Sequence, residues 1–271
     1  MSESAPDLKT IGQLQHAAKA AEAKSLYKGS IIKAKLLKED NWRSSNSRKL
    51  VHFVRHGQGY HNLLGQVSRD YGAVFSETGD FELAVKEQCP YMLPAIQDPS
   101  LTAIGREDAK GIRSRGNTIK PELLVTSPMR RAAETILVGF PNVSVPIVAH
   151  EGCREQLGVF ICDKRSDLTD YKEDGRYSMI DYNLIESNED TLWQETKRET
   201  MLEMAYRAEA FLHWLRDRPE RDIVVGTHSA WLMAVFNVVL DVDSSASSVE
   251  EAEHLHSMFS TGEVRSVLLD W

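Results

Sequence analysis

Residues 223–239 read IVVGTHSAWLMAVFNVV, and this stretch decides the fold class. Residues 223–226 are a short β-branched run, Thr227, His228 and Ser229 are polar punctuation, and residues 230–239 continue as an apolar helix. A strand that passes at once into a helix is the repeating unit of an α/β protein. Residues 230–240, broken by Asn237, fall well short of the roughly 20 apolar residues that a membrane-spanning helix needs.

The same alternation extends outward in both directions. Residues 50–54, 123–126, 145–149 and 264–269 are four more β-rich runs. Between them lie helical patterns. Thr102 is placed to cap a helix over 103–115, and Pro128 suits the first turn of a helix running to Leu137. Met201, Met204, Ala205, Ala208, Phe211, Leu212 and Leu215 form one helical face, stopped by Pro219. No internal repeat appears, and the Ser-rich segment 243–248 reads as a loop. The expectation is an α/β domain over residues 50–271, with a mostly parallel central sheet flanked by helices on both faces.

Charge sets the first 49 residues apart. The chain carries 32 Lys and Arg against 40 Asp and Glu, a formal net charge of -8. Residues 1–50 hold ten basic and five acidic side chains, so they stand at +5 while the remainder stands at -13. Ile11, Leu14, Ala18, Ala21 and Ser25 recur at helical spacing, and Ile31, Ile32, Leu36 and Leu37 make a second apolar patch. Residues 1–49 are therefore expected to be a basic helical extension, either docked on the acidic body or mediating a homo-oligomer or partner contact.

Composition excludes several classes. With 42% hydrophobic and 27% charged residues the chain is globular rather than disordered or membrane-embedded. The acidic balance argues against a nucleic-acid partner, since phosphate backbones are held by surplus cationic side chains. No apolar leader precedes residue 25, and Glu3, Asp7 and Glu22 do not suit a transit peptide, so a cytoplasmic or nuclear protein is expected. Cys89, Cys153 and Cys162 are an odd count without CxxC spacing, which predicts buried thiols rather than a disulfide framework or zinc site.

Ligands of open α/β sheets sit at the carboxyl ends of the strands. Three such ends here carry cationic or imidazole groups: Arg55 and His56 after the first run, Arg130 and Arg131 after the second, and His228 after residues 223–226. Two arginines and two histidines at one end of a sheet make a pocket for a dianion, and phosphate is the obvious one.

The segments VRHGQGYHN (54–62), DPSLTAIGREDA (98–109), TSPMRRAAET (126–135) and VVGTHSAW (224–231) resemble four ordered signatures of the histidine phosphatase superfamily, the phosphoglycerate mutase-like fold. CREQLG and CDKR, at 153–158 and 162–165, further resemble an uncharacterised fungal and plant phosphomutase-like branch. The resemblance implies that His56 is a nucleophile forming a phosphohistidine, that Arg55 and Arg131 hold nonbridging oxygens, and that His228 donates to an equatorial oxygen. The family pattern selects Arg131 over Arg130, because the key arginine directly precedes an alanine. It also implies a carboxylic acid that protonates the leaving oxygen: Glu155 first, with Glu151 as fallback and Asp163 a further candidate. Asn62 aligns with a pocket asparagine, and also suits a turn or helix cap. Lys164 and Arg165 are candidates for a second anionic group of the substrate, or are solvated charges. Tyr182 and Trp193 either flank a substrate moiety or pack as a local core.

The ERHYG-like stretch of true phosphoglycerate mutases is absent here, since Gln156 and Leu157 follow Glu155. A phosphatase acting on a small phosphorylated substrate is therefore expected, with a phosphomutase or a non-catalytic phosphate-binding regulator as alternatives. His52, His56 and His61 lack an HExxH or Asp-rich partner motif, so neither a metal nor another cofactor is expected.

Overall fold

The computed structural model describes residues 8–36, 48–70, 89–115, 119–141, 143–242, 246 and 248–271. Residues 37–47 of the basic arm, residues 71–88, and most of the Ser-rich segment 243–248 lie outside them. Eight strands form one sheet: β1 (Ile32–Leu36), β2 (Arg48–Arg55), β3 (Leu123–Thr126), β4 (Ile147–Ala149), β5 (Ile180–Asp181), β6 (Asp222–Thr227), β7 (Leu240–Asp241) and β8 (Val264–Asp270). Their spatial order is β5-β4-β3-β6-β2-β8-β1-β7. Only β8 runs against its neighbours, β1 and β2; every other pairing is parallel.

The central strands are buried on both sides, as a parallel sheet requires. Successive residues divide between two cores. Val51, Phe53, Leu123, Val125, Ile223 and Val225 face one core. Val54, Leu124 and Val224 face the other. The first core is covered by α1 (Leu8–Leu26), α6 (Met201–Asp217) and α7 (Ser229–Ala234), which continues as a π-helical turn over Val235–Val239. On the opposite face lie α3 (Ala103–Arg115) and α4 (Arg130–Gly139), with Ile112, Ala133 and Ile136 in contact with the sheet side chains. Three shorter helices, α2 (Tyr60–Asp70), α5 (Leu168–Glu173) and α8 (Val249–His256), complete the described set.

The chain starts and stops these elements by local chemistry. Thr102 Oγ1 accepts the Gly105 amide at 3.0 Å, the cap expected for α3. Thr200 and Glu203 form a reciprocal capping box at the start of α6, whose buried face is the seven-residue set expected from its spacing. α4 begins at Arg130 rather than at Pro128, because Met129 takes the N-cap position.

The arm departs from an all-helical extension. α1 is a helix as expected, but Leu14, 62% exposed, Ala18, Ala21 and Ser25 face solvent. The side chain of Ile11 lies outside the described residues. The neighbouring stripe, Ala20, Ala23 and Tyr27, is buried instead. Two alanines let the helix approach α6 and α7 closely, and Tyr27 packs its ring 5.1 Å from that of Tyr206. The second apolar patch is a strand: β1 alternates Ile32 and Ala34 inward with Lys33 and Lys35 outward, and pairs between β8 and β7.

Candidate active site

The carboxyl ends of β3, β6 and β2 lie side by side in the sheet, and backbone bonds join the residues that follow them. The His56 amide donates to Thr227 O at 3.0 Å, and the Ser127 amide to Gly226 O at 2.8 Å. Sequence positions 56, 127 and 228 are thereby brought together. The ring of His56 stands edge-on to His228, with centroids 5.1 Å apart, and 5.5 Å from His61.

The loop after His56 is held by close backbone approach. A Cβ on Gly57 would lie 2.2 Å from Gly105 O, and one on Gly105 would lie 2.1 Å from Gln58 O, so both positions require glycine. Thr102 accompanies them, donating its amide to Gln58 O at 2.9 Å. The 98–109 segment thus grips the loop that carries His56.

His56 Nδ1 lies 2.7 Å from Gly57 O, which fixes the proton on Nδ1 and leaves Nε2 with its lone pair. Burial, then the charges of Arg131 and Arg55, hold its pKa well below the ordinary histidine value, so the ring is neutral. His228 Nε2 meets Ser127 Oγ at 2.8 Å, and burial with the Arg131 charge keeps this imidazole neutral too. His61 behaves in the same way for the same causes.

Arg131 has no exposed surface; it donates to Cys162 O and to Asp163 Oδ1, both at 2.9 Å. Arg55 donates to Phe259 O at 2.5 Å. Each keeps a buried Nε without a partner, and His228 Nδ1 and His61 Nδ1 are likewise unpartnered. Four polar atoms, on two guanidinium groups and two imidazoles, are left unsatisfied around His56. Such a set fits a phosphoryl group.

Arg130 is turned away, as adjacent helical positions must be. It lies 3.6 Å from Asp98 Oδ2 and over the rings of Tyr171 and Tyr177.

Glu155 follows the 3₁₀ turn after β4 and reaches the start of α7. Its Oε1 accepts the amides of Ala230 and Trp231 at 3.1 and 3.2 Å. Burial first, then the negative charge of Asp163, raises its pKa against the opposing pull of Arg131 and Arg198. Glu151 is committed elsewhere, accepting from Arg154 and Arg165 at 3.0 Å each. Asp163 is shared between Arg131 and Arg198, at 2.9 Å each.

A cavity of about 480 Å³ opens beside these groups. Arg55, Gln58, His61, Asn62, Glu155 and Asp163 line it, together with Tyr91, Phe160, Arg198 and His16. His56, Arg131 and His228 are not on its wall: they are 1%, 0% and 0% exposed, and the His56 ring lies 5.5 Å from that of the lining residue His61. Asn62 lines the cavity, and its Oδ1 also accepts the Gly59 amide at 3.0 Å.

Two expected substrate contacts are not brought to the cavity. Arg165 is 1% exposed and makes five hydrogen bonds, to Glu151 and to the carbonyls of Ser166, Asn188, Ser187 and Glu189, so its donors are consumed by structure. Lys164 lies over the ring of Trp193, 5.1 Å from its centroid, and Trp193 itself donates to Phe160 O. Tyr182 packs 5.4 Å from Tyr171 in the second core. All three cysteines are buried thiols. Among the described residues no three His, Cys, Asp or Glu side chains are grouped to hold a metal ion, and no helix is long and apolar enough to cross a membrane.

Among the lining residues for which the sequence suggests no part in the site are Arg198, His61 and His16. Arg198 lies in a loop without periodic pattern. His61 was read only against metal-ligand spacing. His16 belongs to the buried stripe of α1, four residues before Ala20, and that stripe was passed over for the more apolar one beside it.

Comparison with known proteins shows the family to which the chain belongs. The family described as histidine phosphatase superfamily (branch 1) matches residues 93–258, a span that includes Arg131, Glu155 and His228 but begins after His56. "Phosphoglycerate mutase-like protein 1" of Arabidopsis thaliana is 31% identical over 223 residues, covering 70% of this chain and 72% of the relative. "Probable phosphoglycerate mutase PMU1" of Saccharomyces cerevisiae is 28% identical over 214 residues, covering 64% and 68%. Among solved structures, a putative alpha-ribazole-5'-P phosphatase from Escherichia coli aligns over 81% of this chain and 90% of its own, at 17% identity and a TM-score of 0.47. A mycobacterial glucosyl-3-phosphoglycerate phosphatase aligns over 82% and 90%, at 16% and 0.44.

Proposed function

Because this chain belongs to the histidine phosphatase superfamily, branch 1, we propose that it is a phosphomonoesterase that works through phospho-His56. One observation carries the reading: His56 has its Nδ1 tied to Gly57 O, and its neighbours supply unpartnered Nε atoms of Arg55 and Arg131.

A phosphomonoester enters from the cavity past Arg55, His61 and Glu155. Nε2 of His56 attacks phosphorus, the N–P bond forms, and the bond to the leaving oxygen breaks. Arg55 and Arg131 hold the nonbridging oxygens bidentately, and His228 donates through Nδ1 to an equatorial oxygen, where charge gathers in the transition state. Glu155, protonated by virtue of its raised pKa, gives its proton to the leaving alkoxide. As a carboxylate it then takes a proton from water, which attacks phosphorus; the N–P bond breaks, inorganic phosphate leaves, and His56 is neutral again.

The mutase-like names of the curated relatives favour a second reading, in which a substrate hydroxyl replaces water in the second half. Brief incubation with a labelled phosphomonoester in the presence of chelator separates the outcomes. Acid-labile, base-stable label on the wild-type protein and none on His56→Ala is expected, with phosphate released to solvent. Label returning to a second hydroxyl of the substrate would select the mutase reading, and turnover persisting in His56→Ala would end the nucleophile assignment.

A further inference from the structure

The geometry points to His61 as a fourth donor to the phosphoryl group, beside Arg55, Arg131 and His228. It rests on the phosphohistidine reading and extends it to a residue that the four matched motifs leave without a role. The observation is a combination of placement and unsatisfied chemistry. His61 lines the cavity, is only 8% exposed, and sets its ring 5.5 Å from that of His56. Its Nδ1 is buried without a hydrogen-bond partner. Leaving a buried ring nitrogen unsatisfied costs free energy, and such a nitrogen beside a nucleophile is retained for a ligand that satisfies it.

The ring is also held in position. It packs against the backbone of Gly59, where a Cβ would lie 2.7 Å from Nδ1, and it meets Tyr91 with ring centroids 6.3 Å apart. Burial first, then the influence of Arg131, His56 and Arg55, keeps His61 uncharged, so it has one N–H to give and adds no further cationic charge around the nucleophile. A neutral donor gains most when charge on the phosphoryl oxygens is greatest, which places its effect in the transition state rather than in ground-state binding.

The test compares His61→Leu, which removes the donor, with His61→Asn, which retains one, using orthovanadate and inorganic phosphate as probes. In His61→Leu, vanadate affinity measured by calorimetry is expected to fall about 10- to 100-fold, and inorganic phosphate affinity by much less. kcat on p-nitrophenyl phosphate falls in parallel with vanadate affinity while KM stays nearly constant, and His61→Asn recovers part of both losses. Folding of each variant is checked by thermal unfolding. A folded His61→Leu protein whose vanadate affinity stays within twofold of wild type, or an Asn variant no better than Leu, overturns the inference. If the wild-type protein never becomes labelled at His56, the parent reading fails and this one with it; label formed normally with no His61 effect sinks this one alone.

Discussion

Two groups of buried arginines stand within one site region and do different things. Beside Asp190, Arg154 donates to both carboxylate oxygens while its own Nε has no partner, and Arg165 donates to Glu151 and to four carbonyls, so that its whole fork is used. Around His56, Arg55 and Arg131 have each kept an Nε without a partner. Arg131, Arg154 and Arg165 are all at most 1% exposed, and residue type is identical throughout. What separates Arg165 from Arg55 and Arg131 is that its guanidinium fork has been used up by the protein. The filled fork of Arg165 ties its loop to the rest of the protein, whereas the open Nε atoms of Arg55 and Arg131 stand beside His56, where an anion would be met.

Exchanging an arginine in each group breaks the comparison most sharply. Arg131→Lys keeps the charge but loses the planar fork, and kcat/KM is expected to fall about 10³-fold while thermal unfolding shifts little. Arg165→Met should do the reverse. Removing a partner from a buried ion pair costs about 3–5 kcal/mol. Steady-state kinetics beside denaturant unfolding checks both, and comparable activity losses in the two folded variants would erase the distinction.

Glu155 sharpens the boundary between the groups, since its loop is locked by one and its carboxyl faces the other. Its backbone carbonyl, with those of Gly152 and Arg154, accepts from Arg207, which fixes its approach to α7. Glu155→Gln is expected to slow an alkyl phosphate about 10²-fold and an aryl phosphate with a good leaving group far less. In the proposed reaction the protonated acid is the active form for the first half-reaction. kcat/KM for alkyl phosphates therefore declines as pH rises through the raised pKa of Glu155, and that limb disappears in the Gln variant.

The same contrast explains how much could be read without coordinates. The central strands were legible because burial on both faces demands unbroken β-branched runs, and α6 because seven apolar residues share one helical face. β5 and β7, two residues each, carry no pattern long enough to see, and β1 is stabilised by its neighbours β7 and β8 rather than by its own composition. At the site, ordered motifs marked His56, Arg131 and His228. Arg165 and Arg131 look alike in sequence, since what each donor meets is set by chain segments far away in number. Charge alone set the arm apart as an appendage, whereas α1 contributes Ala20, Ala23 and Tyr27 to the main core.

That placement brings the arm to the cavity wall. His16 projects from the buried stripe of α1 to the cavity wall that Arg198 also lines. His16→Ala is expected to raise KM about two- to tenfold for a substrate that fills the cavity, with no change for p-nitrophenyl phosphate, which ends near His56. An equal effect on both substrates would mean that the substitution disturbs the fold rather than a contact.

The smallest effect concerns a histidine outside both groups. His150 caps the 3₁₀ turn that leads to Glu155, accepting the Gly152 amide at Nδ1, and packs 4.6 Å from Trp214 and 5.0 Å from Phe211. Burial lowers its pKa to about 4. The folded-state value lies below the unfolded value of 6.5, so its contribution to stability is present above pH 6.5 and is lost as pH falls toward 4. Over that window the unfolded chain binds one proton more than the native protein at this position, a slope of at most about 1.4 kcal/mol per pH unit. His150→Asn keeps an acceptor for Gly152 without a titrating ring. Denaturant unfolding of the variant between pH 6.5 and 4 should therefore show a shallower fall than wild type, with the activity profile assigned to Glu155 left in place.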